Sequence, residues 1–410
     1  MSFYPTAPGQ VRPVLSTPAG LQIWRAARGL ADVAGNKVVP VVCLGDSITW
    51  GQGSDNTLST ANATAITNGW PGRLRALFNL DPVTGATACA EGYVFPNDSR
   101  VTTAGSPVQN LWASTIFGQG YRLIGGTQTL TITIPAGVTS IGVIQGNTNA
   151  AFNSGGSGLA DVTGLSNING GANSNLGALT GTNLPLVTNV AVAAGNTFQV
   201  VGPATAQTYI SGFILNNAAA NGIQLHRVGL NGSVIASLLG GQTSGALVKS
   251  AANQLIALQS CYKWLATPGV LIVSWALNDQ QFQAGGGTTS QNGVTLPLFT
   301  AYASQFAQQA VLDGWCVLFL GEPRNSGFSP GNPSMDQYVA ALQSIAANNS
   351  NMAYIDIGDL FGTYANGQAL GVQVTGSEHP NKAGALDVAR MVYSVLMGYG
   401  PNGITGTVAG

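Results

Sequence analysis

"VVPVVCLGDSITWG", residues 38–51, is an apolar run that ends abruptly in Gly45-Asp46-Ser47. A short apolar run that breaks at Gly and leads into a helix-like segment reads as a buried strand feeding a turn. In a parallel sheet such turns line the ligand crevice at the carboxyl edge. Ser47 occupies that turn, and the start of a following helix offers free N–H groups and the positive end of its dipole. The place suits a nucleophile whose product oxygen becomes negative. Gly-Asp-Ser arises by chance in about one ordinary chain in ten of this length, so the tripeptide needs support from the rest of the sequence.

That support begins with the rhythm of the chain from residue 221 onward. "GIQLHRVGL" (222–230), "GVLIVSWAL" (269–277), "WCVLFLGEP" (315–323) and "NMAYIDIG" (351–358) read as buried strands. Helical patterns alternate with them at 246–266, 299–314, 334–349 and 381–398, the last with Asn381 placed to cap it. Residues 69–80 give a further helix after the first strand. Short apolar strands alternating with longer helices predict an α/β fold, with a parallel sheet covered on both faces.

Between 86 and 221 the rhythm breaks. This stretch is rich in Gly, Asn, Thr and Ser and holds five charged residues: Glu91, Asp98, Arg100, Arg122 and Asp161. "TLTITIP" (129–135) alternates at period two, as does "TNVAVAAGNTFQVV" (188–201). The stretch is expected to be an inserted all-β, sandwich- or jelly-roll-like domain with a long loop at 153–183. A structureless loop of that length inside a compact domain would be abnormal. The expected division is 1–85 with 222–398 as one discontinuous domain, 86–221 as the insertion and 399–410 as a loosely docked tail.

Composition narrows the function. The net charge is −1, so no basic surface argues for nucleic acid. Only 7% of residues are charged, against about 25% in ordinary soluble domains. Uncharged polar surfaces of this kind lead us to expect an extracellular or virion-associated protein. No apolar run reaches the roughly 18 residues a membrane span needs, and "MSFYPTAPGQVRP" has neither the basic nor the apolar region of a signal peptide. Cys43, Cys89, Cys261 and Cys316 are widely scattered, so no metal site and no cofactor is expected. Cys43 and Cys316 lie in strand-like runs and read as buried thiols.

A serine hydroxyl needs a base within hydrogen-bond reach, and the chain offers two histidines. His226 lies inside an apolar strand and reads as structural. His379, in the polar loop "GSEHPNKAG" before the last helix, is the candidate base. Acyl transfer also needs donors aimed at the developing oxyanion. Gly232 in "VGLNGSV" and Asn278 after the strand at 269–277 are candidates, each just past a strand end.

Taken in order, "GDSITWG", "GLNG", "ALND" and "EHPNKAG" resemble the motifs of the SGNH hydrolases, the GDSL esterases and lipases. The resemblance covers about residues 35–85 and 221–398. It implies a flavodoxin-like three-layer α/β/α fold and a carboxylic ester hydrolase. It further implies Ser47 as nucleophile, His379 as general base, and Ser47, Gly232 and Asn278 as the oxyanion hole. Asp46 and Asp279 would be structural. Ala276 stands where the third motif usually has glycine.

The larger departure is the acid that orients the histidine: the family has Asp three residues before it, and here that residue is Gly376. A backbone carbonyl could orient His379 in a Ser–His dyad, a carboxylate such as Glu378 could substitute, or the enzyme could be impaired. Replacing that Asp by Asn in a serine protease cost about 10⁴ in turnover, through the wrong tautomer. A carbonyl avoids the tautomer problem, and the dyad is the reading adopted here.

The expected substrate is an O-acetylated polysaccharide, with a lipid or small ester as runner-up. A non-catalytic glycan-binding surface or phage virion protein is the rival from another class. The oligomeric state is not legible in the sequence.

Overall fold

The computed structural model describes residues 14–15, 21–34, 38–58, 65–80, 90–96, 98–109, 120–146, 163–177, 184–217, 222–239, 251–284, 294–325 and 333–398. The tail at 399–410, Cys89 and the stretches 153–162 and 178–183 lie outside them.

The apolar run at 38–44 forms the strand Val38–Gly45 in the interior of a seven-stranded sheet. Across that sheet the order is Val14–Leu15, Met352–Asp356, Cys316–Gly321, Val270–Ser274, Val38–Gly45, Gly222–Gly229 and Ala90–Glu91. Every pairing is parallel except that of the edge strand Val14–Leu15. Numbered along the chain from Val38–Gly45, the five main strands lie in the order 2-1-3-4-5. That is the order of doubly wound sheets of flavodoxin type, whose switch point falls between strands 1 and 3. The near-continuous burial of these strands explains why they read as unbroken apolar runs.

Helices follow where the periodicity put them: Trp70–Leu80, Leu296–Leu312, Met335–Ala347 and Lys382–Met397. Asn381 caps the last, its side chain accepting from Ala383 N and Gly384 N. The helical pattern at 246–266 is shorter in the structure, Ala251–Gln259 among the described residues. Trp24, in the further helix Gln22–Ala34, donates its indole N–H to Leu396 O, and Phe78 packs on Tyr393. This group of three helices packs together. The helices Ala251–Gln259, Leu296–Leu312 and Met335–Ala347 form a second group, with Phe299 edge-on to Tyr338. Right-handed crossovers that reverse direction at a switch point put such groups on opposite faces. Cys43, Cys261 and Cys316 are buried.

Between Val38–Gly45 and Gly222–Gly229 the described residues build two antiparallel sheets of five and six strands. They share a core in which Leu130, Ile132, Phe198 and Val200 of one sheet meet Val143, Ile210 and Phe213 of the other. Phe198 and Phe213 meet edge to face. The alternation at 129–135 is Leu130 and Ile132 inward, Thr131 and Thr133 outward, in the strand Thr129–Thr133.

Two readings of this segment are corrected. "TNVAVAAGNTFQVV" is not one element: Leu186–Ala191 belongs to the six-stranded sheet and Thr197–Val201 to the five-stranded one. Both strands alternate, so periodicity alone could not separate them, and the chain changes sheet through the turn at Ala193–Asn196. The 153–183 stretch is also not all loop, since Leu165–Ile168 and Ser174–Asn175 pair as strands.

Candidate active site

The strand Val38–Gly45 delivers Asp46 as the cap of a one-turn helix, Ser47–Trp50. Asp46 Oδ1 accepts from Ile48 N at 2.9 Å, which satisfies one of the helix's free donors. Gly45 is required by close approach, because a Cβ there would collide with Thr49 Oγ1 and the Ser274 carbonyl oxygen. This lets the turn sit directly against the neighbouring strand Val270–Ser274.

Ser47 is nearly inaccessible, and its Oγ lies 2.8 Å from His379 Nε2. The two residues are more than three hundred positions apart in the sequence, and the doubly wound sheet brings them to one edge. Burial lowers the His379 pKa below its ordinary value, and the charge of Glu378 works against that shift. A lowered pKa keeps the imidazole neutral, the form a base must have.

The partner of His379 Nδ1 is a residue that sequence reasoning missed. Ser377 Oγ lies 2.8 Å from Nδ1 and also accepts from His379 N at 3.3 Å. Neither a backbone carbonyl nor Glu378 fills that position. Glu378 Oε1 instead accepts from Gln281 Nε2 at 2.8 Å, so Glu378 as the hydrogen-bonding, orienting acid is corrected to Ser377. The turn explains the substitution. Ser377 N donates to Val374 O, and Gly376 carries a φ of +76°, which L side chains rarely adopt. A Cβ at Gly376 would meet nothing within 4 Å, so the side-chain position there opens to free space. Gln368 pins the loop by donating to Val374 O and Ser377 O and accepting from Gly376 N.

Gly232 lies in the loop after Gly222–Gly229, which packs against the Ser47 turn: Leu230 N and Ser233 Oγ both donate to Gly45 O. Among the described residues, neither Ser47 N nor Gly232 N donates to any group, and both remain available to an oxyanion. Asn278 differs from the expectation. Its Nδ2 donates to Asp46 Oδ2 at 3.0 Å and to Ser233 O at 2.9 Å, so both amide protons are taken. Asn278 ties the Ser47 turn to the Gly232 loop and is not a free third donor.

Beneath the turn lie three fully buried carboxyls. Asp279 accepts from Ile235 N and Val294 N, and burial raises its pKa to about 7. Glu322 accepts from Ser274 Oγ and Leu277 N, and burial raises it to about 7. Asp46 is raised well above the usual carboxylate range by burial and then by the charge of Glu322. A second negative charge this close favours keeping a proton on Asp46. Sequence reading missed Glu322, although a carboxylate closing "VLFLGEP" at the same sheet edge was a usable signal. His226 is not in this network: it is fully buried, edge-on to Trp264, with neither ring nitrogen hydrogen-bonded. Among the described residues no group of acidic, histidine or cysteine side chains could hold a metal ion.

A solved structure of a peptidoglycan O-acetylesterase superposes with a TM-score of 0.62 at 13% identity, covering 94% of this chain and 97% of that one. The likeness is one of fold. It extends over the parallel sheet and the antiparallel module together. Two further solved structures align less well: a Bacillus subtilis protein (TM-score 0.35, 14% identity, 76% of this chain and 92% of that one), and a carbohydrate esterase family 2 enzyme with its carbohydrate-binding domain from Corynascus thermopiles (Myceliophthora fergusii) (TM-score 0.29, 11%, 73% and 99%). No protein family's sequence pattern matches the chain, and no curated protein sequence does.

Proposed function

We propose that this protein is an SGNH-type serine esterase that removes O-acetyl groups from a polysaccharide. The observation that carries the proposal is the 2.8 Å contact between Ser47 Oγ and His379 Nε2 at the switch point of a doubly wound sheet. Nucleophile and base within hydrogen-bond reach, with the base held by a third group, is the arrangement covalent acyl transfer requires. In this mechanism Ser47 Oγ attacks the acetyl carbonyl while Nε2 takes its proton. The N–H groups of Ser47 and Gly232 hold the oxyanion. His379 returns the proton to the sugar oxygen as it leaves, and water then hydrolyses the acyl-enzyme by the same route. Ser377 holds the imidazole in place.

The sugar substrate is supported by the fold shared with a peptidoglycan O-acetylesterase. The nearly uncharged module between the first two strands suits a neutral polar ligand and an extracellular or virion setting. A lipid or small-ester hydrolase is the second reading of the same chemistry. A non-catalytic glycan-binding protein is favoured by one observation, the hydroxyl at Nδ1 where a carboxylate would be stronger.

Release of acetate from a panel of O-acetylated glycans, and of p-nitrophenol from its acetate, tests the proposal. Wild type should turn over both, and Ser47→Ala should fall to the uncatalysed background. Equal rates for the two proteins would sink the esterase reading.

A further inference from the structure

Three of the five charges between residues 86 and 221 gather at one place. Glu91 receives Arg100 through two parallel bonds, at 2.8 and 2.9 Å, and Arg75 from the helix Trp70–Leu80 at 2.9 Å. Arg100 also grips Asp98, with Nε and Nη2 each at 2.9 Å. Asp98 in turn meets Arg227 Nη2 at 3.4 Å. Arg227 belongs to the core strand Gly222–Gly229, and its other end reaches the nucleophile turn. Nη1 donates to Trp50 O at 2.6 Å, and the guanidinium lies 4.6 Å from the centre of the Trp50 ring.

The chemistry of that grip is specific. A helix of one turn has no cooperative stability of its own, and its last carbonyls have no partner within the helix. Ser47–Trp50 is such a helix, and a charge-assisted bond from Arg227 fills Trp50 O. The Arg227 and Asp98 side chains are 8% and 1% exposed, so neither charge can turn to water for compensation. Removing Asp98 leaves a buried guanidinium short of a partner and no longer held in place over Trp50. A displacement of about 1 Å at a reacting group costs on the order of a hundredfold in rate.

We infer that Arg227 is a positioning residue for the nucleophile, holding the Ser47–Trp50 helix by its C-terminal end, and that Asp98 of the antiparallel module holds Arg227. The module is thereby part of the catalytic geometry even for an ester too small to touch it. This inference rests on the esterase reading.

The experiment compares wild type with Arg227→Met, Arg227→Lys and Asp98→Asn on p-nitrophenyl acetate, and follows phosphonylation of Ser47 by a fluorophosphonate. Arg227→Met keeps the apolar stem over Trp50 and removes the charge. Arg227→Met and Asp98→Asn should lose about tenfold or more in kcat with KM within about twofold, and label more slowly by the same factor. Arg227→Lys, able to reach Trp50 O or Asp98 but not both, should fall between. Each variant is assayed below its own cooperative melting transition, and Arg227→Lys serves as the reference if either of the others fails to fold. Folded variants that keep kcat and labelling within twofold of wild type would overturn the inference. A wild type that neither turns over nor labels would overturn the esterase reading itself.

Discussion

A neutral hydroxyl at His379 Nδ1 does part of what a carboxylate does there. When Ser377 accepts from Nδ1–H, Nε2 is bare and can take the Ser47 proton. When it donates to Nδ1 instead, Nε2 carries the proton and the histidine is idle. Ser377 orients without stabilising the imidazolium, and the charge of Glu378 supplies some of that stabilisation from the next residue. Two substitutions separate these parts. Ser377→Ala frees the ring and should lower kcat by about tenfold to a hundredfold. Glu378→Gln removes the charge that opposes burial, lowering the His379 pKa further. Its acid limb in the kcat/KM profile should therefore move to lower pH, because the base stays neutral longer. An unmoved limb would remove Glu378 from the mechanism. That Ser47 and His379 meet was legible, because the serine closes a buried strand and only one of the two histidines lies in a polar loop. Ser377 was not, since its reach to Nδ1 depends on the turn from Val374 to Ser377, which a run of Thr, Gly and Ser does not announce.

At the scale of elements, the parallel strands and most helices could be read from periodicity, because strands buried on both faces are unbroken apolar runs. The strands Leu186–Ala191 and Thr197–Val201 could not be separated by periodicity, since both alternate; Gly195-Asn196 in the turn between them was the usable signal. The strand Gly222–Gly229 carries the clearest pH prediction. His226 on it is buried without a partner, and burial lowers its pKa to about 3. The ordinary value is near 6.5, so between the two the unfolded chain binds a proton that the folded protein refuses. Stability therefore falls as pH drops through that window, by about 2 kcal/mol between pH 7.5 and 5. Glu322 and Asp279, raised to about 7, act in the opposite sense. Their contribution is full below the ordinary carboxylate range and is lost as pH rises through 7. His226→Phe keeps the contact with Trp264 and removes the acid-side loss alone. Denaturant melts should show its stability relative to wild type rising by about 2 kcal/mol from pH 7.5 to pH 5. An unchanged difference would refute the assignment.

At the scale of the whole molecule, the antiparallel module is not simply tethered to the sheet. Tyr93, Phe95, Ile144 and Ile214 belong to the large core that also contains Val42, Leu44 and Trp264, and Ala90–Glu91 extends the parallel sheet. Composition alone marked the module as different, through its low charge and its glycine, but could not reveal this shared burial. The shared core, together with the Asp98–Arg227 contact, leads us to expect one calorimetric unfolding transition for the protein. Two resolved transitions would show that the module and the sheet unfold independently.

The strand Val38–Gly45 has a further consequence, for the order in which the molecule is made. Its two neighbours in the sheet begin at Gly222 and Val270. As a chain grows, segments fold when their partners have emerged, and pairings between distant segments are slow to form. The strand Val38–Gly45 is thus synthesised long before either strand it pairs with. Ser47 meets His379 only after the last loop has been made. A chain stalled before residue 379 carries the serine without the histidine it meets in the folded protein.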